Sequence, residues 1–113
     1  MKKRTRAFAL SIIGLVEKLP KCRTADVIGR QLLKCGTSVG ANYRAACRSK
    51  SRADFIAKMG TVEEEADECI YWMELLVDSG MVAAQGVIDL RDDADQFVAI
   101  AVTSIKTARG GKR

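Results

Sequence analysis

The stretch FIAKMGTVEEEADECIYWMELL, residues 55–76, decides how the chain is read. Phe55, Met59, Val62, Ala66, Cys69, Met73 and Leu76 recur at alternating steps of four and three. That is the period of one buried stripe on an α-helix, and no stretch of similar length alternates with the period of a strand. Ser51 followed by Asp54 reads as a capping-box start, with Asp in place of the usual Glu. Gly80, followed by Met81 and Val82, reads as a glycine stop. The spacing predicts a helix over residues 52–79.

Working outward, three more helices follow from the same period. Phe8, Ile12, Leu15 and Leu19 predict a helix over residues 5–19, closed at Leu19-Pro20 because the residue before proline is pushed away from helical angles. Ile28, Leu32, Cys35, Val39, Asn42 and Ala46 predict a helix over residues 25–48, with Thr24 as its N-cap and Asp26 in its first turn. Gly29, Gly36 and Gly40 lie inside it, each costing about 1 kcal/mol relative to Ala. With Ser38, Ala41 and Ala45 also small, they point to close approach by a neighbouring helix. Leu90, Ala94, Phe97, Ala101, Ile105 and Ala108 predict a helix over residues 90–108, with Asp89 as N-cap, and residues 110–113 form a frayed tail. Four amphipathic helices on short connections give an all-α fold, an antiparallel up-down-up-down four-helix bundle in a single domain, residues 1–113.

Composition narrows function. The 113 residues contain no His, which removes His-based triads, proton relays and Cys/His zinc patterns. The acidic run Glu63, Glu64, Glu65, Asp67 and Glu68 lacks the His that helical two-metal sites use, so it reads as a solvated face and no metal or cofactor is expected. No catalytic residue stands out, and a non-enzymatic role is expected. Cys22, Cys35, Cys47 and Cys69 form no CxxC pair, and three of them sit at helical core spacing, as small apolar fillers. No membrane span or signal peptide is recognised, and free thiols suit a cytoplasmic location.

Charge is strongly segregated. Residues 1–58 carry 14 Lys/Arg against three acids, while residues 59–113 carry five against 11. Arg23, Arg30 and Arg44 share a heptad position, Lys34 and Arg48 lie one turn further on, and Lys50 and Arg52 extend the ridge. Lys2, Lys3, Arg4 and Arg6 add to it. One reading is a surface for RNA or another polyanion. The alternative is that the ridge is used in assembly, pairing with the acidic run of the third helix within one chain or between copies. Asn42, Tyr43, Tyr71 and Trp72 are the candidate oligomer contacts. A seam Asn needs a hydrogen bond and often fixes register, and Tyr71-Trp72 with Leu75 and Val77 widen the apolar arc beyond one stripe.

Residues 37–76 resemble the four-helix bundle proteins associated with intervening sequences of 23S ribosomal RNA genes. The resemblance is carried by Ser38, Ala41-Asn42-Tyr43, Ala46-Cys47-Arg48, Ser51, Asp54-Phe55, Lys58, Glu65, Glu68, Tyr71-Trp72 and Glu74-Leu75-Leu76. The first and fourth helices fit the same layout. Ala45 stands where the family pattern carries Glu. The resemblance implies a left-handed bundle assembling as a homopentamer, with no known enzymatic activity. It also implies kinship with the basic pentameric accessory protein of diversity-generating retroelements, and binding of ribosomal RNA as the role suggested by gene location and charge.

Overall fold

The computed structural model describes residues 1–110. These form four α-helices, α1 (Lys2–Glu17), α2 (Arg23–Cys47), α3 (Arg52–Asp78) and α4 (Ile88–Gly110), with one 3-10 turn, Ala84–Gly86, ahead of α4. No strand occurs among the described residues. The helices pack as a rod of 50 × 21 × 19 Å. The tail expected at residues 110–113 begins later, since Gly110 still belongs to α4, and residues 111–113 lie outside the described residues.

The α3 stripe supplies the centre of the core. Met59, Val62, Ala66, Cys69, Met73 and Leu76 are all fully buried, and only Phe55, in the first turn of α3, is half-exposed. Against them lie Leu32, Cys35 and Val39 of α2, Phe8 and Ile12 of α1, and Ala94, Phe97 and Ala101 of α4. Phe8 and Phe97 meet edge to face at 5.3 Å, the favoured geometry for ring quadrupoles. Of the four cysteines only Cys35 and Cys69 are buried, their sulfurs 3.2 Å apart, while Cys22 and Cys47 are exposed. Two core thiols, not three, are therefore apolar fillers.

The glycines of α2 are spaces for α1. A β-carbon at position 36 would lie 2.8 Å from Ile12 Cγ2, one at 40 would lie 3.1 Å from Thr5 Oγ1, and one at 29 would lie 3.2 Å from Leu19 Cδ1. As the α2 number rises the α1 number falls, so these two helices run in opposite senses.

Helix ends follow local chemistry. Ser51 caps α3, its side chain accepting from the Asp54 N–H at 3.0 Å. Gly80 adopts φ +80°, and the Met81 N–H turns back to the Leu76 carbonyl at 3.0 Å. Two expected caps are displaced. Extended Cys22, not Thr24, precedes α2, and α4 starts at Ile88, which places Asp89 inside its first turn. A carboxylate there still favours the positive end of the helix.

Candidate nucleic-acid interface

α2 carries cations along its length, but the ridge divides. Arg23 opens α2 and Arg44 stands in its last turn, about 31 Å apart at 1.5 Å per residue. Arg30 is not free, because it pairs with Asp26 at 3.0 Å on the same exposed face. Arg48 is the C-cap of α2, Lys50 lies in the connection beside Asp54, and Arg52 is the first residue of α3. The ridge therefore stops as a helical stripe near Arg44, and Lys50 and Arg52 turn the corner instead of extending it.

At the Arg44 end α1 adds charge. Lys2 and Arg6, one turn apart on α1, face Arg44 across a groove of about 420 Å3 whose floor includes Thr37, Gly40 and Ala41. Arg4, between them in sequence, points to the opposite side. Its guanidinium donates to Gln96 at 2.8 Å, approaches Asp93 at 3.4 Å and covers the Phe97 ring at 5.0 Å. Arg4 is thus a tie between α1 and α4 and is removed from the basic surface. Periodicity within α2 could not have found the groove, since two of its cations belong to another helix. The i, i+4 spacing of Lys2 and Arg6 was the available signal.

The acidic run makes no ion pair with this surface within the chain, although the Lys34 charge reaches Glu65. Among the described residues no ion pair joins α2 to Glu63, Glu64, Glu65, Asp67 or Glu68. Glu63 and Glu64 instead line a second groove, between α3 and α4, with Lys106 and Arg109. Glu65 is the exception in direction. Burial first, then the Glu68 charge, hold its carboxyl above the ordinary range, with Lys34 partly opposing them. Asp54, hydrogen-bonded by Lys58 Nζ at 2.6 Å, lies below the ordinary range chiefly for that reason.

The four candidate contact residues separate. Asn42 is half-buried, and its amide donates to the Ser38 carbonyl at 2.9 Å, so its hydrogen bond stays within α2 and it is not a fully buried seam residue. Tyr43 is half-buried against the core, its phenol raised above its ordinary value mainly by the hydrogen bond with the Cys47 thiol and then by burial. Tyr71 is 54% exposed and meets Trp72 edge to face at 5.0 Å. Trp72, Leu75 and Val77 are half-buried and pack against the core, and the enclosed Trp72 Nε1 has no acceptor among the described residues. Leu10, Val27 and Ile88 are further large apolar side chains more than half exposed, and sequence periodicity did not single them out.

No cluster of three or more His, Cys, Asp or Glu side chains is placed to hold a metal ion among the described residues. None of the described helices is long and apolar enough to cross a membrane.

Comparison with known proteins relates the chain to a family and to solved structures. Residues 1–103 match the family described as 23S rRNA-intervening sequence protein. A crystal structure of a protein of unknown function from the S23 ribosomal protein family of Bacteroides thetaiotaomicron is similar at a TM-score of 0.87 and 34% identity, over 94% of this chain and 98% of that one. No curated protein matches the chain.

Proposed function

Because this chain belongs to the 23S rRNA-intervening sequence protein family, we propose that it is a non-enzymatic, cytoplasmic bundle that binds RNA or another nucleic acid through the basic face of α1 and α2. The observation that carries the reading is the separation of charge on the folded surface. The cations of α2 are not consumed by the acidic run of α3, and those at the Arg44 end are joined by Lys2 and Arg6. Such a face attracts phosphates and releases their counterions, which makes binding steeply salt-dependent. Free thiols suit a reducing compartment. No cofactor enters this role.

Self-assembly belongs to the same proposal. The resemblance implies a ring of five, and the exposed Leu10, Val27, Tyr71 and Ile88 supply apolar surface that neighbouring copies would cover. Five copies would raise the formal charge of +5 to about +25.

Filter binding of structured RNA at several salt concentrations tests the reading. Binding at low salt, with log affinity falling linearly against log salt, is expected. Absence of binding at low salt, or binding indifferent to salt, overturns it. The second reading, in which the ridge joins copies to one another, predicts that reversing Arg44 and Arg48 to Glu releases single 12.3 kDa chains in light scattering. An assembly unchanged by that reversal counts against it.

A further inference from the structure

The cationic groove at the start of α1 is more specific than a charged face. We propose that the space enclosed by Lys2, Arg6 and Arg44 is a binding site for phosphate groups, and that it grips the backbone of a nucleic acid without reading its bases. The inference rests on the nucleic-acid reading for its natural ligand but not for its chemistry.

Three observations carry it. The groove draws its three cations from two helices, and no acid lines it. The hydroxyls that line it are already engaged. The Thr37 hydroxyl donates to the Leu33 carbonyl at 2.8 Å and the Thr5 hydroxyl to the Lys2 carbonyl at 3.1 Å, so the free side-chain donors are the ammonium and the two guanidinium groups. Guanidinium forks match the paired oxygens of a phosphate, and three cations around one concavity suit an anion of more than one charge. Finally, no aromatic ring lines the groove, so bases have nothing to stack on.

The α1 terminus adds a supporting circumstance. Its first turn contains no acid, and no side chain caps it. Lys2 and Lys3 therefore stand at the positive end of a helix, where cations are disfavoured until an anion arrives.

Two probes and two double variants test the site. Arg6→Gln with Arg44→Gln removes two groove cations. Arg23→Gln with Arg30→Gln removes the same charge from the far end of α2. Fluorescence anisotropy follows a short oligouridylate, and thermal melting follows inorganic tripolyphosphate. The groove variant is expected to weaken oligouridylate binding tenfold or more and to reduce the salt slope by about 1.4, two phosphate contacts on a single strand. The far variant, also on the basic face, should weaken binding by less than about threefold, since Arg30 is already held by Asp26. Tripolyphosphate should raise the melting temperature of the wild type and of the far variant but not of the groove variant. Melting of each variant without anion reports folding, and Arg6→Lys with Arg44→Lys, which keeps the charge but not the forks, should bind between the wild type and the glutamine variant. Equal loss in the two double variants overturns the groove while leaving the basic face as the binder. Stabilisation by tripolyphosphate through the groove, with no oligouridylate bound at low salt, keeps the phosphate site and overturns the nucleic-acid reading. If neither probe acts on the wild type, both fall.

Discussion

Glu65 shows how a single residue can oppose the fold that contains it. It lies on α3 beside Glu68, partly enclosed, and its carboxyl binds protons more tightly than in the unfolded chain. A carboxyl raised on folding makes its ionised form a liability. Stability falls as pH rises through the interval between the ordinary value of 4.5 and the higher folded value, and stays reduced above it. Glu65→Gln is therefore expected to raise the melting temperature at pH 7, with the gain shrinking to nothing below the ordinary carboxylate range. A variant that melts lower at pH 7, or whose gain is the same at acid pH, contradicts this. Asp54 has the opposite sign. Its lowered carboxyl favours the fold above the ordinary range, and the benefit is lost as pH falls through the folded value.

Between elements, the α1–α2 contact leaves little room at the α2 glycines. Adding a methyl at Gly36 would press on Ile12 Cγ2 at 2.8 Å and Cγ1 at 3.0 Å, whereas Gly60, on the groove between α3 and α4, has nothing within 4 Å. Overpacking costs about 1–3 kcal/mol, and removing a mid-helix glycine returns about 1 kcal/mol. Urea denaturation should thus find Gly36→Ala destabilised by about 1 kcal/mol and Gly60→Ala stabilised by about 0.5–1 kcal/mol. This is also the scale at which the sequence could and could not be read. The α3 stripe was legible from Met59 to Leu76 because each of those residues faces the interior, so period and burial coincide. The start of α2 at Cys22 was not, because that cap uses backbone geometry and no side-chain bond. Nor was the 3-10 turn at Ala84–Gly86, which delivers Val87 to the core and starts α4 early. The ridge on α2 could be read from one helix alone. The groove could not, because it depends on which turn of α1 rests against Gly40.

For the whole molecule, the cysteines report on how the rod opens. Cys22 and Cys47 are at the surface, while Cys35 and Cys69 face one another between α2 and α3. The Cys69 thiol is further pushed up by its contact with Cys35 and by burial, so it offers almost no thiolate. Labelling with an aromatic disulfide reagent is expected to proceed in two steps. Two thiols should react at once, and two only as fast as the helices separate, with the slow step accelerating in denaturant. Four equally fast thiols would contradict a closed core. The notches in α2 carry a consequence for ancestry as well. Because Ile12 occupies the room that position 36 leaves, neither can drift alone. Natural relatives with alanine at the position matching 36 should carry valine or something smaller at the one matching 12, so that the two sites are inherited as a couple.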